Sequence, residues 1–588
     1  MSICVWLQIF YIAIIIFSHF SISSENNELI TPYNLNEKYL DYLTPYQPIV
    51  GQSGMVVSQN SLSSDVGINI LNQGGNAVDA AVAVGFSLAV TLPRAGSLGG
   101  GGFMLIYMKD ENAVININYK SESSRNASNT SLFGNEEAPK DYDRNIVRYG
   151  YKAIAVPGTV AGLLKAHELY GSMPLSILLK DAIEQAKNGI TVSYDLENAV
   201  RYTNQLKANV ESNSIFFKKG DPLKEGTKFI QNDLGDVLEL IAANGSDGFY
   251  KGLVAEKIQM AMKKNNGFVD AIDLANYEAK VTKPLSINYR NHIIFASNPP
   301  SVGGSVILES LSVLENFELK SYEPNSSEVL HLLAESLRRG HMDRSINIGD
   351  PVFYNDYTNE LISKKRGKEL SKSISIDKAT KNSEISPYSN LTEGTNTTHY
   401  SIIDKDGNAV SNTFTLGYSY GSGVTIPGTG ILMNNQMSNF SYDYDSPSIS
   451  GRFANPLNRL EPNKRSVTNM SPVMTFEDNE LRLITGSPGG ARIPAAILRV
   501  ITGVIDFDLS ISDATMLPRI NMNFTPDEYL EYESIVSKDT VDNLEKKGHL
   551  MIQSKSIGGT QSIYSINGVN YGYSDLRRPN GGVSIQIN

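Results

Sequence analysis

Cysteine is all but missing from this chain of 588 residues, which has a single one, Cys4. Residues 24–588 therefore hold no disulfide, no thiol nucleophile and no thiolate metal site. Blocks of basic charge are missing too. Lys+Arg total 51 against 62 Asp+Glu, a net charge of −11, and the two signs are interspersed. A nucleic-acid binder needs a basic face, so that class is excluded. The seven histidines show no H-E-x-x-H or comparable ligand spacing, and neither a metal nor a cofactor is expected. No repeat of fixed period is evident.

Long apolar runs are confined to the start, "MSICVWLQIFYIAIIIFSHFSISS", which is nearly all apolar from Ile3 to Phe17 and has no Lys or Arg. That length suits the core of a signal peptide and is short for a membrane span. Residues 1–23 are expected to be a signal peptide or an anchor, and the protein to be exported: secreted, periplasmic or at the cell surface.

Beyond the leader, "NILNQGGNAVDAAVAVGFSLAVTLP" predicts a turn at Gly74-Gly75 and then an enclosed, Ala/Val-rich helix that stops at Pro93. "GSLGGGGFMLIYMKDENAVININYK" predicts a glycine loop, a strand, a turn and a second strand; no Lys-Ser/Thr follows the glycines, so it is not a phosphate loop. From about 155 to 345 the apolar spacing is mainly helical. Residues 352–393 are polar and Lys/Ser/Asn-rich, the composition of a mobile segment. Then "THYSIIDKDGNAVSNTFTL" predicts a hairpin, and more strand pairs follow. Helices and hairpins are partly segregated, so the fold class is α+β, with stacked sheets and covering helices.

At the start of that hairpin stands "NTTHYS", residues 396–401. One reading is a plain β-branched strand start. The other is a masked catalytic terminus: cleavage between Asn396 and Thr397 would free an α-amine on the residue that carries the hydroxyl. Such an amine, with a pKa of about 7.7–8.0, can accept the hydroxyl proton, so one residue supplies nucleophile and base. The same hydroxyl can attack the Asn396 carbonyl beforehand and cut the chain without a second protease. His399 shares the Thr397 side of the strand but lies about 6–7 Å along it, which suits a structural hydrogen-bonder better than a base. Thr398 points to the opposite face.

The surrounding motifs resemble the γ-glutamyltransferase (γ-glutamyltranspeptidase) family of N-terminal nucleophile hydrolases. They include "GGNAVDAAVAV", "GGGGFML", "VPGTVAGL", "NPPSVGGS", "DRSINIGDP", "TTHYSIIDKDGNAVSNTFTL", "GILMNNQM", "PNKR", "MSPVM", "ITGSPGGAR" and "GGTQSIYS", in that order over nearly the whole chain after the leader. The resemblance implies a four-layer αββα sandwich, cut into a large portion, 24–396, and a small portion, 397–588. It implies Thr397 as nucleophile, Thr415 to orient it, and the Gly489 and Gly490 N–H groups as an oxyanion hole. It further implies a small γ-glutamyl substrate such as glutathione, an acyl-enzyme, water or an amino acid as acceptor, and no cofactor.

The substrate-reading positions depart from the family. Lys120 stands where an arginine is expected, keeping charge but losing the bidentate fork; Arg125 would replace it if its loop bent inward. Thr468 and Asn469 replace a serine pair, Gly417 replaces an asparagine, Gln436 is retained, and Asn439 replaces an aspartate that would face an α-ammonium. Two further readings follow: an acylase of altered, glutaryl-type specificity, and an unprocessed homologue with a binding role.

Overall fold

A computed structural model of the chain describes residues 46–139, 142–385, 396–442, 455–522 and 528–587. The fold below belongs to Pro48–Asn588. The expected signal peptide or anchor, residues 1–23, lies outside the described residues. Among those described, no helix is long and apolar enough to cross a membrane.

Asn76 opens the enclosed helix, Ala77–Thr91, with a capping box. Its side-chain oxygen accepts from the N–H groups of Val78 and Asp79 at 2.9 Å, and the Asp79 carboxylate accepts from the Asn76 N–H at 3.0 Å. All 15 helical residues are buried, because helices Ser61–Asn72, Thr159–Tyr170 and Lys180–Asn188 and the strands Asn396–Ile403 and Ala409–Gly417 enclose them. An Ala/Val helix with no polar stripe fits only such a site.

Two seven-stranded antiparallel sheets form the centre. One runs Gly582–Ile585, Met55–Ser58, Asn396–Ile403, Ala409–Gly417, Gly101–Met108, Ala113–Tyr119, Lys280–Thr282. The other runs Ile49–Gly51, Val569–Ser574, Gln561–Ile566, Glu480–Thr485, Val473–Glu477, His292–Ala296, Leu285–Tyr289. The hairpin and the strand pair after the glycine loop form as the sequence predicts. Their strands do not show apolar-in, polar-out alternation, because both faces are covered. Met55, Val57, Leu105, Tyr107, Ile403 and Ala409 meet Met474, Phe476, Ile484 and Ile563 of the facing sheet. Their neighbours Val56, Met104, Ile106, Tyr400, Ile402 and Val410 pack under the helices. Helices Val302–Leu314 and Ile511–Met516 cover the second sheet. The layers are thus helix, sheet, sheet, helix: the αββα sandwich of α+β class. Strands from before and after residue 396 mix in both sheets, so the two parts of the chain share one core.

Residues 352–385 differ from the mobile segment that composition suggests. Helices Thr358–Leu361 and Lys364–Ser371 form there, and the strap that follows is gripped by the long helix Ser327–Asn347. Arg339 donates to Ser373 Oγ at 3.0 Å, His331 Nε2 bonds the Ser375 carbonyl at 2.7 Å, and Glu335 accepts from the Thr380 N–H at 3.1 Å. The partners are more than 30 residues distant in sequence, which is why local composition misses them. Residues 386–393, the rest of that predicted segment, lie outside the described residues.

At this grip His331 Nδ1 and His549 Nε2 are 2.8 Å apart, and Glu335 completes a buried cluster of three possible ligands that sequence spacing did not reveal. The carboxylate is committed to Arg339, 2.7 Å away, and Arg338, 3.5 Å away. The Arg338 guanidinium and the nearby Lys547 favour neutral imidazoles. Burial depresses both histidines, His549 to about 3, with His331, Arg338 and Lys547 adding to the effect and Glu335 opposing it. Imidazoles that resist protonation in the folded state add stability that is complete above their unfolded value of 6.5 and is lost as pH falls towards about 3. Melting temperature should therefore fall from pH 7 to pH 5. His549→Asn should flatten the fall by about 1.4 kcal/mol per pH unit; equal slopes for the two proteins in urea titrations would refute the assignment.

Candidate active site

Strand Asn396–Ile403 pairs Asn396 with Gly417 and Thr398 with Phe414, so Thr415 and Leu416 together oppose the single Thr397. Such a bulge re-aims side chains. Here it turns Thr415 onto the peptide before Thr397: Thr415 Oγ1 donates to the Asn396 carbonyl at 2.6 Å and accepts from the Gly417 N–H at 2.9 Å. The Asn396 carbonyl is thus polarised by a hydroxyl whose own lone pair is held.

A small cleft is lined by Thr397, Thr415, Gly417, Asn439, Thr468, Asn469, Gly490 and Ile493. It gathers six of the site residues named from sequence. Gly489 joins Gly490 in the adjoining loop, with φ of +138° and +60°, values that a side chain would strain. A Cβ on Gly489 would also come within 3.2 Å of Gly558 Cα, so "SPGG" and "GGTQ" pack backbone to backbone. Ser487 Oγ seals that contact by accepting from the Gly559 N–H at 2.9 Å.

Lys120 and Gln436 lie one layer behind the cleft lining, both fully buried. Gln436 Nε2 donates to the Thr415 carbonyl at 2.9 Å, and Lys120 Nζ donates to Gln436 Oε1 and, at 2.9 Å, to Ser466 Oγ. Arg125 does not turn inward: it pairs with Asp270 at 2.5 Å on the surface, its side chain 41% exposed. Gly417 has φ +106°, and a Cβ there would fall 2.2 Å from Asn435 Oδ1. The Asn435 amide, anchored by the Tyr418 N–H at 3.0 Å, occupies the room that a side chain at 417 would need.

Thr468 and Asn469 are fixed from two sides. The Thr468 carbonyl and N–H bond Val302 N and Pro300 O at 2.8 and 3.0 Å, and Arg344 from the long helix donates to Asn469 Oδ1. His399 is buried, with Nδ1 2.8 Å from Thr413 Oγ1 and Nε2 3.1 Å from Ser401 Oγ. Desolvation takes its pKa down to about 3, so it is neutral at physiological pH and structural. Thr398 faces the helical layer side of the strand, fully buried, with no hydrogen-bond partner for Oγ1 among the described residues.

Sequence reasoning missed Arg344 and Arg94. Arg344 sits inside the "DRS" motif, and Arg94 is a lone cation in "VTLPRAGSLGG", the signals that were there to be used. Arg94 Nη1 donates to Asn396 Oδ1 at 3.2 Å, while its Nε is 2.8 Å from Asp195.

Residues 63–585 match the family model described as Gamma-glutamyltranspeptidase. The chain is 40% identical over 540 residues to a glutathione hydrolase proenzyme of Escherichia coli (strain K12), covering 90% of this chain and 92% of that protein. It is 32% identical over 532 residues to the Acylase ACY 1 proenzyme of Pseudomonas sp. (strain SE83), covering 90% and 92%. In fold it matches the crystal structure of cephalosporin acylase from Bacillus halodurans at a TM-score of 0.82, with 24% identity over 95% of this chain and 100% of that one. With the family model spanning the sandwich and the cleft alike, this chain belongs to the gamma-glutamyltranspeptidase family.

Proposed function

We propose that this enzyme is a self-processing threonine amidohydrolase and acyltransferase that cleaves γ-glutamyl amide bonds, as in glutathione. The hydrogen bond from Thr415 Oγ1 to the Asn396 carbonyl, 2.6 Å long beside Thr397, carries this reading. In self-cleavage Thr397 Oγ attacks that carbonyl carbon; the Asn396–Thr397 C–N bond breaks, and the hydroxyl proton ends on the released amine. Water then opens the ester, leaving a carboxylate on Asn396 and a free Thr397. The large portion, 24–396, and the small portion, 397–588, stay joined through their shared sheets. The apolar run at residues 3–17 supports export of the precursor.

In turnover the Thr397 amine takes the hydroxyl proton, Oγ bonds the γ-carbonyl carbon, and the leaving amine departs with the proton. Water or an amino acid then takes the acyl group. Gly489 and Gly490 would donate N–H groups to the tetrahedral oxyanion. Lys120, behind Gln436, supplies the buried positive charge towards which a substrate carboxylate is drawn, while Asn439, Thr468 and Asn469 contact the remaining polar groups. None of these steps needs a cofactor.

The neutral Asn439 in the cleft favours a second reading, an acylase accepting glutaryl-type groups that lack an α-ammonium, in line with the ACY 1 relative. Hydrolysis of γ-glutamyl and glutaryl anilides compares the two directly, and a clear glutaryl preference would displace the first. Asn439→Asp should shift the ratio towards γ-glutamyl by about tenfold, the worth of one charge-assisted contact. An unchanged ratio would remove Asn439 from ammonium recognition.

A further inference from the structure

We infer that Arg94, braced by Asp195, is a positioning residue for self-cleavage, an inference that rests on the proposed function. Asn396 is held at both of its oxygens. Thr415 takes the carbonyl, and Arg94 Nη1 takes the side-chain Oδ1 at 3.2 Å. With only one of these bonds, the peptide plane before Thr397 could still swing about the strand end. With both, the side chain and carbonyl are fixed together, and one face of the carbonyl carbon is kept towards Thr397.

The guanidinium is suited to this task because it is itself immobile. Its side chain is 5% exposed, its Nε is 2.8 Å from Asp195 Oδ2, and its own carbonyl accepts from the Tyr420 N–H at 3.0 Å. Tyr420 lies just past strand Ala409–Gly417, so Arg94 is tied to the strand that carries Thr415. Asp195, in the first turn of helix Tyr194–Arg201, lies near a second, half-buried cation, Arg578, whose pKa is lowered by desolvation first and by Arg94 next. The carboxylate thus offsets two guanidiniums, and it turns Arg94 Nη1 towards Asn396. Orientation of this kind controls rate steeply: a misplacement of about 1 Å can cost about 100-fold.

The test follows loss of the full-length band on denaturing gels after pulsed synthesis of the whole chain. Arg94→Ala should slow cleavage about 10- to 100-fold, still between Asn396 and Thr397, and added guanidinium ion should restore part of the rate. Asn396→Ala should slow cleavage similarly, and the double variant should be no slower than Asn396→Ala alone, because one interaction has been removed twice. A merely structural arginine would give multiplied effects and no rescue, and that result would overturn the inference, as would wild-type speed in Arg94→Ala. A wild-type chain that never cuts would instead overturn the self-cleavage reading, and this inference with it.

Discussion

Thr397→Ala should leave the chain uncut and without amidase activity. The variant would run as one full-length band, with no fragment beginning at residue 397. Turnover of a γ-glutamyl anilide should drop by at least about 10⁴-fold, since the variant lacks both the attacking oxygen and the new amine that would activate it. The fold should survive, because Thr397 spans a bulge between strands whose partners on both sides are otherwise unchanged. Thr397→Ser keeps a hydroxyl and should still cut, more slowly. A normally cleaved Thr397→Ala protein would end the proposal, and a single full-length band from wild type would favour the unprocessed homologue.

Thr415→Val should cost about 10²- to 10³-fold in self-cleavage, the usual effect of removing one preorganised donor from a developing oxyanion. The hydroxyl donates to the Asn396 carbonyl at 2.6 Å, and its orientation is set by the Gly417 N–H at 2.9 Å. Valine fills nearly the same space but offers neither bond. Stability should fall by about 1–3 kcal/mol through the unpaired Gly417 N–H, too little to unfold a core of this size. Thr415→Ser should retain most of the rate, so a gel time course of the three proteins separates hydroxyl from shape. Wild-type cleavage in Thr415→Val would show that the contact polarises nothing that matters.

Both effects trace to a hairpin that could be read from its residues. "DKDGN" between β-branched runs dictates the turn, and "NAVD" dictates the start of the buried helix, through signals at most four residues apart. Arg125 shows where such reading stops. Its distance from Lys120 along the chain suggested a substitute cation, yet Asp270 and Asp273, almost 150 residues away, draw it outward. The strap at 373–382 repeats the lesson. Its polar composition suits a loose linker, and it becomes ordered because His331, Glu335 and Arg339 present buried partners one helical turn apart.

By itself, the sequence determined the α+β class, because helix and strand periodicity are local, and the family, because its motifs stand in order along the chain; the αββα layering followed from that resemblance. Tertiary structure alone decided the second hold on Asn396, the retreat of Lys120 behind Gln436, and the occupation by Asn435 of the space next to Gly417. Each joins residues far apart in the chain or depends on a few ångströms of room. Sequence spacing carries no record of such distances; only the packing of two sheets and their helices brings Arg94 within 3.2 Å of the residue that precedes Thr397.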